Sequence, residues 1–267
     1  MTRKVAIAIA AHPDDIEFCM AGTLLQLRGA GYETHYLTIA SGSCGSTKTD
    51  AKTTKSIRSA EAQVAAGVLG AKFHPSLTDD LEILYSLELL RALASVIREV
   101  KPGIVLTHSP QDYMEDHMIT SRLAVTAAFA RGMPNFKTSP ARAAVGYDVT
   151  VYHAMPHGLR DGLRCRIIPG AFVNTTSVQE IKRKSLAAHK SQQDWLDESQ
   201  GFNSFIQAMD DMSLAIGRLS KRFSHAEGWR RHLHLGFCQA ETDPLYEVLG
   251  KNYMINKLYE QNLKRGI

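Results

Sequence analysis

The stretch Ala11-His12-Pro13-Asp14-Asp15-Ile16-Glu17 brings an imidazole and two carboxylates within four residues, where the apolar run Val5 to Ala10 gives way to an amphipathic segment. Neutral imidazole and carboxylate oxygen suit Zn²⁺, and a catalytic zinc usually keeps three protein ligands and one open position. His12 and Asp15, three residues apart across a proline-stiffened turn, can meet on one ion while Asp14 points elsewhere. One carboxylate can then ligate and its neighbour can act as a base. An Asp that merely caps the following helix accounts for one of these acids. It leaves His12, the second Asp and Glu17 unexplained.

A second constellation follows the apolar run Gly103 to Thr107: His108-Ser109-Pro110-Gln111-Asp112-Tyr113-Met114-Glu115-Asp116-His117. A loop at the carboxyl end of a parallel strand shares its rim with His12 and Asp15, and open α/β sheets place their ligands there. His117 opens the next helix, so its ring can supply the third ligand. Asp116 beside it suits acid–base work or the support of a ligand.

The elements that must position these residues read as alternating strand and helix. Val5 to Ala10 is continuously apolar, as a central parallel strand covered on both faces should be. A helix is expected over Glu17 to Arg28, a strand over Glu33 to Ala40, a long polar segment over Ser41 to Lys55 and a helix over Ser56 to Leu69. Ile83 to Val100 carries the clearest helical stripe, with Asp79 and Asp80 before it read as turn and cap residues, and Met118 to Arg131 follows the second constellation. Short strands are expected at Tyr147 to His153, Cys165 to Ile168 and Ala171 to Asn174. Ser177 and Glu180 read as a capping box for a helix running to about Lys190. The last part holds the Phe202, Phe205 and Ile206 segment, His232 and His234 at strand spacing, and a helix over Tyr246 to Leu263. These elements predict one α/β domain over residues 1–267, a Rossmann-like three-layer sandwich with a mostly parallel central sheet and an irregular C-terminal extension.

Composition narrows the function. With 267 residues, 44% hydrophobic and 22% charged, the chain is that of a folded protein. The net charge of +4 is scattered, with no basic stripe or reader motif for nucleic acid. Cys19, Cys44, Cys165 and Cys238 form no C-x-x-C pair, which fits a reduced compartment. No run reaches the roughly 18 apolar residues of a membrane span, so a cytoplasmic protein without membrane insertion is expected.

Ala11 to Glu17 resembles the A-H-P-D-D-x-E signature of the LmbE-like, or PIG-L, metal-dependent N-deacetylases. Asp116-His117 matches the D-H that ends the family's second motif, Arg58 and Glu61 match its R-x-x-E, and His189-Lys190-Ser191-Gln192 resembles its H-x-S-Q. The likeness covers about residues 1 to 192. It implies a zinc enzyme, with Fe²⁺ as another candidate ion, in which His12, Asp15 and His117 hold the metal. Asp14 then takes the proton of the attacking water, and Asp116 assists. The implied substrate is a small N-acetylated amino sugar or its conjugate, oriented by Arg58. Ser43 in the polar loop, Tyr113 and His189 are further candidates for substrate binding, and homo-oligomers are common in such a family. The chain departs from the pattern at Met114, where many members carry a histidine thought to assist the tetrahedral intermediate. His108, Tyr113 and His189 are candidates to take over that role.

Three other readings compete. The bond cleaved could be another amide, as in the related thiol-conjugate amidases. The chain could also be a sugar-binding protein that retains its metal but not efficient chemistry. A dinucleotide-binding protein is disfavoured, because the first strand–helix turn carries His-Pro-Asp-Asp in place of G-x-G-x-x-G and its charge would repel a pyrophosphate.

Overall fold

The computed structural model describes residues 4–199 and 205–266; the Phe202 position lies outside them. In chain order the elements are β1 (Val5–Ala10), α1 (Asp15–Cys19), α2 (Ala21–Gly29), β2 (Glu33–Thr38), α3 (Ala51–Leu69), β3 (Lys72–His74), α4 (Leu87–Val100), β4 (Ile104–Thr107), α5 (Glu115–Phe129), β5 (Thr150–Ala154), β6 (Ala171–Asn174), α6 (Gln179–Leu186), α7 (Lys190–Ser199), α8 (Phe205–Ser220), β7 (Ala226–Arg231), α9 (Pro244–Leu249), β8 (Tyr253–Ile255) and α10 (Lys257–Arg265).

One sheet of order β3-β2-β1-β4-β5-β7-β6-β8 runs through the molecule. Pairing is parallel from β3 to β5 and antiparallel from β5 outward. The chain winds from β1 toward β3 on one side and resumes at β4 on the other, so β1 and β4 flank the point where the winding reverses. Both constellations leave the carboxyl ends of these two adjoining strands.

The alternation along β1 builds the two cores. Ala6, Ala8 and Ala10 pack with residues of α1, α2, α3 and α8, including Ile16, Leu24, Ala66 and Ile216. Ile7 and Ile9 face the opposite layer, where Leu93 and Ile97 of α4 meet Leu123 and Ala127 of α5. This is the expected three-layer arrangement.

Several boundaries differ from the sequence reading. The first helix breaks at Met20 into α1 and α2. The polar loop is shorter, because Asp50 accepts the Thr53 N–H and starts α3 at Ala51. Ser86 caps α4, leaving Asp79 and Asp80 free for the loop opposite. Cys165 to Ile168 contributes only the bridge between Arg160 and Arg166. The Ser177–Glu180 capping box does not form. The C-terminal helical stripe resolves into α9, β8 and α10, because Gly250 ends the first helix and Asn256 caps the second.

Residues of α6 and β7 hold the α1–α2 break in place. Glu227 on β7 is 1% exposed, and its carboxylate accepts the Gly22 and Thr23 N–H groups, thus capping α2 from a remote strand. Lys182 of α6, 0% exposed, donates to Glu227 Oε1 at 2.7 Å and to the Phe18 carbonyl at the end of α1. Removing one partner of such a pair strands the other charge in the core. Glu227→Ala is therefore expected to cost about 3–5 kcal/mol in urea unfolding. A loss below about 1 kcal/mol would show that the pair does not fasten this junction.

Candidate active site

The turn after β1 is built around a strained residue. Asp14 occupies the N-cap position of α1 with φ 103°, in the left-handed region that non-glycine residues avoid, and its side chain makes no cap hydrogen bond. Strain of this kind costs about 1–3 kcal/mol and persists where the surroundings enforce it. Here the carboxylate turns to Arg58, whose Nη2 lies 3.3 Å from Asp14 Oδ2 and 2.6 Å from the Pro13 carbonyl. Gly42 and Gly45 give Arg58 its room, since a Cβ at either would strike the guanidinium. Burial pushes the Asp14 carboxyl up to about 7, with Arg58 opposing the rise.

His12, Asp15 and His117 come together with their ligand atoms within 4.8 Å of one another. Each imidazole is held from behind by a carboxylate. His117 Nδ1 donates to Asp112 Oδ1 at 3.1 Å, which leaves Nε2 buried, without a hydrogen-bond partner and 3.4 Å from Asp15 Oδ1. His12 Nε2 donates to Asp116 Oδ2 at 3.0 Å, with Nδ1 turned toward Asp15 Oδ2 at 3.5 Å. Carboxylate-held imidazoles around a third carboxylate are the usual environment of a bound divalent cation. The orphaned Nε2 and the two-nitrogen, one-carboxylate donor set fit Zn²⁺ with an open position.

The electrostatics agree. Burial alone would lower His12 and His117, yet the surrounding carboxylates outweigh it and raise them to about 9 and about 10. Burial raises Asp15, but His117 and His108 hold it well below the usual carboxylate range. The cluster is a well of negative potential that calls for positive charge.

These groups open into a cavity of about 500 Å³, within the range of small-molecule sites. Phe18, Trp195, Leu196 and Phe205 form an apolar wall, and Asp80, Leu81, Tyr113 and Met114 lie on its lining. Arg58 and Tyr113 are also on the lining, with the Arg58 guanidinium committed to Asp14 and the Pro13 carbonyl.

Three candidate residues do not reach the cavity lining. Asp116 accepts from His12 and from the Leu81 N–H, which, of its two expected roles, matches the support of a ligand. Ser43 sits behind the lining and accepts the Asp80 N–H. His189 is 0% exposed beside Glu17, below the cavity floor. Glu61 does not pair with Arg58; it accepts the Ser191 N–H and hydroxyl, joining two of the sequence motifs across α3 and α7. His232 lies just past β7 and pairs with His153 at 3.0 Å, so it forms no strand pair with His234.

Sequence reasoning missed Asp112 and Asp80. Asp112 stands five residues before His117, in the loop that leads into α5, a spacing at which a carboxylate can reach a ligand's far nitrogen. Asp80 accepts the Gly42 and Cys44 N–H groups and pins the glycine loop. No local pattern announces that contact.

Two outcomes follow. His117→Ala should lose its metal in elemental mass spectrometry of reconstituted protein, and Asp112→Asn should weaken affinity about 10–100-fold; unchanged affinity would remove either residue from the centre. His153, behind His108, is buried and lowered to about 4 by burial. Its unfolded form binds a proton below about 6.5 while the folded form does not. Stability is therefore full above that value and falls as pH drops toward 4, by at most about 3 kcal/mol. His153→Gln should flatten this slope in unfolding titrations, and an unchanged slope would assign the acid lability elsewhere.

Comparison with known proteins places the geometry in context. The sequence model described as GlcNAc-PI de-N-acetylase (PIG-L) matches residues 7–128. A diacetylchitobiose deacetylase of Thermococcus kodakarensis is 31% identical over 196 residues, 71% of this chain and 70% of that protein. A 4-oxalmesaconate hydratase of Pseudomonas putida is 29% identical over 200 residues, 72% of this chain and 75% of its own. The crystal structure of a 4-carboxy-2-hydroxymuconate hydratase from Pseudomonas putida shares the fold with a TM-score of 0.73 at 22% identity, covering 90% of this chain and 98% of that one. With a relative of this identity and coverage, the chain belongs to the PIG-L family.

Proposed function

We propose that residues 1–267 act as one metal-dependent N-deacetylase domain that hydrolyses the N-acetyl group of an amino sugar or its conjugate, with Zn²⁺ or Fe²⁺ held by His12, Asp15 and His117. The observation that carries the reading is Asp14, a buried carboxylate beside the metal-binding group that spends its strain facing the cavity and not capping a helix. A bound ion would supply Lewis acidity, which acidifies water and polarises a carbonyl oxygen. Asp14 accepts the proton that the attacking water loses, and a carboxyl raised to about 7 is matched to that task. Arg58 fixes the orientation of Asp14, and Asp112 and Asp116 fix the two imidazoles.

The hydratase relatives raise a second chemistry, and the cavity argues against it. A carboxylated muconate needs cations to replace its hydration. Among the described residues the only lysine or arginine on the lining is Arg58, already shared between Asp14 and Pro13. A neutral amide pays no such penalty.

Zinc-loaded protein should release amine from N-acetylglucosamine or N,N'-diacetylchitobiose. Asp14→Asn should retain zinc and lose at least about 100-fold in rate; a variant turning over at the wild-type rate would refute the assignment. Release only from a thiol-conjugate amide would move the substrate class, and sugar binding with no release from any amide would make the chain a binding module.

A further inference from the structure

Amide hydrolysis needs a proton for the departing nitrogen, and Met114, on the cavity lining, cannot give one. The cavity must supply the donor from elsewhere. His108 is committed, because its Nε2 accepts the Ala11 N–H and its ring stacks on His117 at 4.1 Å. His189 is 0% exposed and is not part of the lining. Tyr113 reaches the cavity, but burial, reinforced by the nearby Asp15 and Asp112 carboxylates, pushes its phenol upward, so it can donate a hydrogen bond and yields its proton poorly.

His157 remains. It follows β5 at the rim of the sheet and lines the cavity together with His12, Asp14, Asp15 and His117. Its ring stands edge-on to Phe18 at 5.5 Å and lies 6.5 Å from Tyr113, whose own ring is 5.6 Å from His117. It makes no hydrogen bond to any described residue, so both ring nitrogens are free for a ligand. Gly158, with φ 71°, lets the chain turn at once and leaves the imidazole facing inward.

We propose that His157 is the acid that protonates the departing amine. This rests on the deacetylase reading. As the new C–O bond forms, the attacking water gives a proton to Asp14. As the C–N bond breaks, its electron pair goes to nitrogen and the imidazolium proton of His157 follows it. Amine and acid leave, Asp14 releases its proton to solvent, and His157 takes one back. The charged and titratable groups around His157 are Asp15 and Asp112, which favour its protonated form, His117, which opposes it, and Tyr113. Burial also opposes protonation, which makes the imidazolium a stronger acid.

The test uses zinc-loaded wild type and His157→Gln on three substrates: N-acetylglucosamine and N,N'-diacetylchitobiose, whose alkyl amines must be protonated to leave, and p-nitroacetanilide, whose weakly basic aniline leaves without it. His157→Gln should keep wild-type zinc content. It should lose about 100-fold in kcat on the sugars, with KM within about threefold, and less than about tenfold on the anilide. The alkaline limb of the wild-type kcat profile, set by loss of the imidazolium, should disappear in the variant. Equal losses on all three substrates, or wild-type rates on the sugars, overturn the acid role while the deacetylase reading stands. A wild type that turns over none of the three overturns both.

Discussion

Everything at the rim answers to one constraint, the concentration of carboxylates in a buried place. Asp14, Glu17, Asp112 and Asp116 are each at most 7% exposed, and Asp15 lies among them. Isolated buried anions of this kind are among the most expensive groups a fold can hold. The structure offsets them with Arg58 against Asp14, His189 against Glu17, and His12 and His117 between the remaining acids. The raised imidazoles and the orphaned Nε2 are two signs of the same imbalance. A divalent cation bound there would take up the role that protons on His12 and His117 otherwise fill, and its binding would be coupled to proton release.

That arrangement depends on parts of the chain far from it in sequence. The break between α1 and α2 sets the direction in which Asp15 leaves β1, and Lys182 and Glu227 fasten it from α6 and β7. Trp229, also on β7, donates to Thr23 in the same turn. The antiparallel half of the sheet is thus the support for the first helix of the site. Leu81 gives a shorter example. With φ 62°, its backbone is held where its N–H meets Asp116, and Asp116 holds His12.

The sequence made the two strand-end constellations legible, because a metal group needs specific residue types and the strand–helix alternation puts them on one rim. The structure brings the ligand atoms of His12, Asp15 and His117 together and puts Asp14 on the same lining. What stayed hidden depends on contacts between distant segments. Asp116 looked catalytic because it adjoins His117, but helix geometry turns neighbouring side chains about 100° apart, and it faces His12 instead. His189 and Glu61 sit in recognisable motifs, yet one lies under the floor and the other binds α7. The apolar wall from Trp195, Leu196 and Phe205 has no local signature, since each residue alone reads as ordinary core.

A family that includes both a deacetylase and a hydratase shows why the shared centre does not by itself name the reaction. Both chemistries ask for water made nucleophilic beside an electron-poor carbon, and the His12, Asp14, Asp15 and His117 group serves either. The choice falls to whatever holds the rest of the substrate and whatever receives the leaving group. Hydration expels nothing, so it needs no acid poised over a departing nitrogen, and a polyanion would need cations that this cavity has already committed. An apolar wall, a spent arginine and a free imidazole at His157 fit cleavage better than addition. On the proposed reading, what distinguishes cleavage from addition in this chain would be supplied by α7, α8 and the turn after β5, outside the two strand-end turns that gather the metal-binding group.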